Sequence, residues 1–423
     1  MSTETKIQNV FGRQIWDSRG RPTVEVEVHL TDGNFGSGIA PAGASKGKSE
    51  ALDLRDNGSL FAGFGVKHAI QNVNGEIAEN LIGKSVLDQD TNDRILVQLD
   101  GTKQKTRLGA NALIATSMAM AHAAANSLRI PLWKYLQGNE TKDKIYLPLP
   151  EIQIFGGGAN EPSGLDIQDF MILPFGAKSF SEAMEWTAEI HLAAMSEVKV
   201  SKGIQDNEQT IEILIKAIEK AGFSTKPSSK NRIGISLDFA ASHLFVGESY
   251  HLKSSHQKFT KEKWFEHILK WINQYPIDGI EDPFIEEDLE SYSLLMKEIE
   301  KLDRKIQLVG DDLLTTQIKN IEKVNQHNAC NTLLCKPNQV GTLTEAKDAF
   351  LLANKIGWDT IVSARSGESE DTTICHLALG WGIKQIKVGS FSHAERMAKW
   401  NELIRLEERL GKQAVYVGSL FHS

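Results

Sequence analysis

The sequence predicts an α/β barrel preceded by a smaller N-terminal α+β domain. Three observations predict it. Past about residue 145, short apolar strands alternate with intervals long enough for one helix each. Before that point strands come first and helices follow, the order of an α+β unit. Between the two lies a polar run, residues 137–144 (QGNETKDK), which marks the boundary. Two domains are therefore expected, residues 1–137 and 145–423.

The N-terminal elements follow from local pattern. Residues 23–29 (TVEVEVH) alternate apolar and polar side chains, as a half-buried strand does. Asp32-Gly33 is a hairpin turn, and residues 35–40 are its return strand. A loop rich in Gly, Ala and Ser follows at 41–47. Helices are predicted over 66–81, 90–99 and 111–128.

In the second domain each apolar strand runs into a polar residue. The strands are 233–237, 277–280, 306–310, 331–335, 358–362 and 385–386. They run into Asp238, Glu281, Asp311, Lys336, Ser363 and Lys387, with steps of 43, 30, 25, 27 and 24 residues. The intervals hold helices such as 261–275 and 288–302. No solenoid repeat is present.

Composition narrows the class of partner. The chain has 423 residues, 47 Lys plus Arg against 55 Asp plus Glu, and a net charge of −8. That excludes the basic surplus of a general nucleic-acid or anionic-membrane binder. No apolar run is long enough to span a bilayer, and the first residues carry no secretory pattern. The three cysteines, Cys330, Cys335 and Cys375, fit a reducing compartment and read as small buried apolar residues. A cytoplasmic protein is expected.

A barrel gathers its strand C-termini at one mouth, where chemistry is done. One acid after a strand is usually a helix cap or an ion-pair partner. Three acids followed by two lysines, Asp238, Glu281, Asp311, Lys336 and Lys387, are not explained as caps. Hard carboxylate oxygens from adjacent strands suit Mg²⁺. A lysine beside a dication can serve as a base. Arg365 and Ser366, in the run 363–369 (SARSGES), suit a phosphate. The set fits removal of a proton next to a carboxylate, with the metal stabilising the enediolate.

Longer runs then match a known family. Asp17-Ser18-Arg19-Gly20 with Pro22-Thr23-Val24-Glu25, the Ser45 loop with Glu50-Ala51-Leu52, and Leu108-Gly109-Ala110-Asn111-Ala112 are the first. Ile280-Glu281-Asp282-Pro283-Phe284, Gly310-Asp311-Asp312-Leu313, Lys336 with Asn338-Gln339, and Arg365-Ser366-Gly367-Glu368 follow. Gln385-Ile386-Lys387 and Leu403-Ile404-Arg405 close the series. Over nearly its whole length the chain resembles the enolases, the phosphopyruvate hydratases.

The resemblance implies an enolase-type α/β barrel of eight strands, starting with two strands and two helices, beneath an N-terminal α+β capping domain. It also implies a homodimer. It assigns Asp238, Glu281 and Asp311 to a first Mg²⁺ and Ser45 to a second. Lys336 becomes the base at C2, Lys387 the partner of the substrate carboxylate, and Arg365 with Ser366 the phosphate site. The substrate implied is a small phosphorylated or phosphonylated carboxylic acid.

Departures from the family pattern cluster. The family histidine of Asn-Gly-Gly-x-His is Ala159, in the run Phe155-Gly156-Gly157-Gly158-Ala159. A catalytic glutamate is the shorter Asp169, in Gln168-Asp169-Phe170-Met171. The acid loop Gly-Asp-Glu-Gly-Gly is missing, since Lys202-Gly203-Ile204 runs almost directly into Gln205-Asp206-Asn207-Glu208. A second family histidine is Ala364. Lys46 stands where the family usually has Thr; it is read either as a contact to phosphate or phosphonate, or as a solvated loop lysine.

The losses fall on the leaving-group side and spare the metal, lysine and anion residues. The leading expectation is therefore Mg²⁺-dependent enolate or enolpyruvyl chemistry with an altered partner group, in a pocket enlarged for a bulkier or second substrate. The enolase-like carboxyphosphonoenolpyruvate synthase of phosphonate biosynthesis is an analogy for it. One alternative is an ordinary 2-phosphoglycerate hydratase with Asp169, Asp206 or Glu208 as replacement acid. Asp206 and Glu208 are also read as the start of a helix over 208–221. The other alternative is a non-catalytic binding protein.

Overall fold

The computed structural model describes residues 5–44, 47–138, 143–158, 164–201, 203–418 and 420. Its N-terminal part is an antiparallel sheet in the order β1 (Ile7–Trp16), β2 (Pro22–Leu30), β3 (Phe35–Ile39). β2 buries Val24, Val26 and Val28 and leaves Glu25 and Glu27 half-buried on the other face. At the predicted hairpin, Asp32 accepts from the Asn34 amide at 2.9 Å and Gly33 takes φ +86°. β1 carries no clean alternation, which is why the pattern does not predict it. Its register slips between Ile7 and Asn9, and Arg13 lies across Glu25 and Glu27 at 2.6 and 2.7 Å.

The helix Ala110–Leu128 packs on this sheet and is buried on nearly every side. Two strand glycines let its backbone come close. A Cβ on Gly36 would sit 2.1 Å from the Ala123 nitrogen, and one on Gly38 would sit 2.6 Å from the Ala115 oxygen. The helix expected over 66–81 is interrupted. Its middle, Val73–Ile77, is a π-turn, and Asn74 there exchanges hydrogen bonds with both backbone groups of Gly12 at 2.6 and 3.1 Å.

Eight strands close a barrel: β4 (Leu149–Gly156), β5 (Asp169–Leu173), β6 (Gly234–Asp238), β7 (Ile277–Glu281), β8 (Gln307–Gly310), β9 (Thr332–Cys335), β10 (Asp359–Ser363) and β11 (Gln385–Ser390). β5 runs antiparallel to β4 and β6, and every other pair is parallel. Two helices, Phe180–Val200 and Asn207–Lys220, lie between β5 and β6. β6 and β7 end in Asp238 and Glu281, and Asp311 and Lys336 directly follow β8 and β9. Lys387 differs from its expected place. It lies inside β11, which pairs on to Ser390 through a register shift beside β4. The three cysteines are buried thiols, and burial pushes Cys330 and Cys335 up to about 12. Among the described residues no helix is long and apolar enough to cross a membrane.

The sheet region sits on the barrel through backbone and buried polar bonds. Ala42 and Gly367 exchange two hydrogen bonds of 2.9 Å, and the Ala51 amide reaches the Gln339 carbonyl at 2.8 Å. Further out, the fully buried Asp93 accepts from the Thr344 amide and hydroxyl at 3.0 and 2.7 Å. Thr344 opens the barrel helix Leu343–Lys355, so Asp93 also meets the positive end of its dipole.

Burial pushes Asp93 up to about 6, its hydrogen bonds opposing. A carboxyl raised above its unfolded value binds its proton more tightly in the native state, so its contribution falls as pH rises between the two values. Asp93→Asn removes that slope. Its unfolding free energy relative to the parent is expected to gain up to about 3 kcal/mol from pH 4 to pH 6. Urea titrations across that range check it; a flat or opposite trend refutes the assignment.

Candidate active site

The barrel brings its charged strand ends to one mouth. Lys387 projects between two neighbours, its Nζ 2.7 Å from Asp238 Oδ2 and 2.7 Å from Glu281 Oε2. Asp169 Oδ2 is 3.3 Å away. Asp169 joins this group because β5 is reversed. Its first residue lies opposite Asp238, the last residue of β6. Gln168 donates to Asp238 at 2.8 Å, and Gln153 donates to Asp169.

Next along the mouth, Lys336 Nζ bonds Asp311 Oδ2, and Gln339 donates to Asp311 Oδ1 at 2.8 Å. Gln339 also reaches Glu50 Oε1 at 3.2 Å. Glu50, from the N-terminal domain, takes Arg365 in a two-pronged pair at 3.0 and 3.2 Å. Asn338 holds the same guanidinium at 3.0 Å. All these acids and cations are buried.

The charges explain one another. Burial alone would raise Asp238, but the Lys387 ammonium outweighs it and holds that carboxyl below the ordinary value. Glu281 is different: burial and the Asp238 charge push it well above the ordinary value, against Lys387. Burial also raises Asp169. For Asp311, Lys336 and Arg365 outweigh burial, and its carboxyl lies low. Burial opposes the Lys387 charge, yet the acids around it raise this ammonium well above its usual value.

Asp169, Asp238, Glu281 and Asp311, four carboxylates, thus face two ammonium groups. Among the described residues the buried Glu281 Oε1 has no hydrogen-bond partner. An all-oxygen donor set, an orphaned carboxylate oxygen and unbalanced negative charge fit a hard dication such as Mg²⁺. The expected trio Asp238, Glu281 and Asp311 is spread around the two lysines. Among the described residues the trio whose oxygens fall within 4.8 Å of one another is Asp282, Asp311 and Asp312. Asp282 there is a cap: its two oxygens accept from the Asp311 and Asp312 amides at 3.1 and 2.6 Å.

The remaining expected residues divide. Ser366 is exposed, and its Oγ accepts from the Ala44 amide at 2.7 Å and from Arg19 at 3.3 Å. Ser45, Lys46, Ala159 and Lys202 lie outside the described residues. Ala364 is buried, and its amide bonds the Lys387 carbonyl at 2.9 Å. Asp206 caps its own helix through the Gln209 amide at 2.8 Å. Glu208 accepts from the Trp271 indole at 2.9 Å. Neither is bonded to the mouth cluster, whereas Asp169 is. A cavity of about 630 Å³ opens elsewhere, beside Leu87, Tyr135, Leu343 and Trp381. None of the mouth residues lines it.

Sequence reasoning gave no role to Glu50, Gln153, Gln168 or Gln339. One signal was available: a buried arginine needs a carboxylate, and Glu50 stands in a run already matched to the family. Glu50→Gln should cost about 3–5 kcal/mol of stability, because it removes the carboxylate paired with the buried Arg365 guanidinium. Urea unfolding checks this, and a loss below about 1 kcal/mol would mean the pair is dispensable.

Comparison with known families agrees with this architecture. Residues 7–136 match the N-terminal domain of enolase. Residues 144–423 match the C-terminal TIM barrel domain of enolase. The two matches support an enolase-superfamily enzyme of lyase type. They cover nearly the whole chain, and with the eight-stranded barrel and its charged mouth they place it: the chain belongs to the enolase family.

Proposed function

We propose that this chain is a Mg²⁺-dependent enolase-family enzyme with altered leaving-group chemistry. It forms or uses an enolate or enolpyruvyl intermediate of a small phosphorylated or phosphonylated carboxylic acid. One observation carries the reading. The expected carboxylates and lysines meet at the mouth, beside the buried Ala364, where the resemblance puts a histidine.

Mg²⁺ held by Asp238, Glu281 and Asp311 would supply positive charge to a developing enediolate. Lys336, seated on Asp311, would take the C2 proton. Lys387 would meet the substrate carboxylate. Arg365, kept in place by Glu50 and Asn338, and Ser366 would face the phosphate or phosphonate. Ser45 would serve a second Mg²⁺ and Lys46 the anion. Alanine at 364 would leave room for a bulkier group or a co-substrate, in the manner of carboxyphosphonoenolpyruvate synthase. A cytoplasmic homodimer belongs to the same proposal.

A second reading has one observation in its favour. Asp169 is a mouth carboxyl whose proton affinity burial raises, so it could act as the acid of a 2-phosphoglycerate hydratase.

Solvent deuterium exchange at C2 of 2-phosphoglycerate, with ³¹P NMR following phosphoenolpyruvate, separates the readings. Exchange with little phosphoenolpyruvate is expected. It should stop on chelation of Mg²⁺ and fall by about 10²–10⁴ in Lys336→Ala. Rapid phosphoenolpyruvate formation would favour the Asp169 hydratase. No exchange by the folded protein would remove this acid as substrate and favour a binding role.

A further inference from the structure

We infer that Arg396 is a positioning residue, setting the Arg365–Ser366 segment against the strand that carries Lys387. This rests on the function proposed above. Arg396 lies in the first turn of the helix Ala394–Leu410. Its Nη1 donates to the Arg365 carbonyl at 2.7 Å and to the Val388 carbonyl at 2.9 Å, and its Nη2 donates to the Ser366 carbonyl at 2.9 Å. Val388 directly follows Lys387 in β11. One guanidinium therefore joins the two residues assigned to the substrate's anionic group to the strand of the lysine assigned to its carboxylate.

The surroundings are shaped for this. Gly389 has φ +118°, and a Cβ there would lie 3.3 Å from Arg396 Nε. Glycine lets the guanidinium lie on the strand. One helical turn on, the buried Lys399 supports the same segment. Its Nζ is 2.9 Å from Glu368 Oε2 and 2.6 Å from the Ser369 carbonyl, and Glu368 Oε1 accepts from the Arg365 amide at 2.9 Å. The guanidinium presents its donors in one fixed plane to three carbonyls on two segments, an arrangement that a single ammonium at 396 would reproduce only in part.

The test uses Arg396→Gln and Arg396→Lys in the full chain with Mg²⁺. Amide exchange is followed by mass spectrometry, and phosphoenolpyruvate and Mg²⁺ binding by calorimetry. Arg396→Gln should weaken phosphoenolpyruvate about tenfold or more, while Mg²⁺ affinity stays within about twofold. Arg396→Lys should recover part of the loss. Exchange should quicken at residues 364–368 and stay unchanged in the N-terminal sheet. Unchanged phosphoenolpyruvate affinity, or unchanged exchange at 364–368, overturns the inference. So does a parallel loss of both ligands with exchange rising throughout the barrel, since that is general loosening. A parent protein that binds no phosphoenolpyruvate would fail the function reading on its own measurement and this inference with it. Failure of Arg396 alone shows as parent binding that the variants keep.

Discussion

Lys387 between Asp238 and Glu281 is the compensation on which the mouth depends. Neighbouring parallel strands deliver their last residues to one place, so acids on successive strands are forced together out of water. Ionised carboxylates held that way are costly unless each has a cation or a donor. The ammonium serves Asp238 and one oxygen of Glu281, and Gln168 and Gln153 serve the flanks. Among the described residues Glu281 Oε1 has no hydrogen-bond partner, so the compensation there is incomplete.

The second constraint is that the site is completed from the other domain. Glu50 lies outside the barrel in sequence, yet it neutralises Arg365 and, through Gln339, touches the Asp311 carboxylate. The Ala42–Gly367 bridge and the Asp17–Arg19 turn, packed on Gly367, hold the two parts in register. Domain docking and the arrangement of the anion side are one energetic unit. A substitution at either end would be felt at the other.

Much of this was legible in the chain. Alternation gave β2, turn chemistry gave the hairpin, and strand rhythm gave six of the barrel strands. The order of acids and lysines marked the mouth. β1 was hidden because Arg13 and Gln14 interrupt its apolar period and one register slip shifts the rest. The π-turn at Val73–Ile77 was hidden because only the approach to Gly12 requires it. Lys387 was placed one element boundary too early, since nothing local says that β11 pairs beyond it.

The residues themselves determined which charges this protein carries to its barrel mouth. Local periodicity is enough for that, because each strand end is marked by its own composition. Only the tertiary structure decided the pairings. The reversal of β5 brings Asp169 opposite Asp238, and docking brings Glu50 to Arg365. The helix Ala394–Leu410 lays Arg396 across two segments. Those contacts join residues far apart in the chain, and burial, not spacing, sets which ionised group must find which partner.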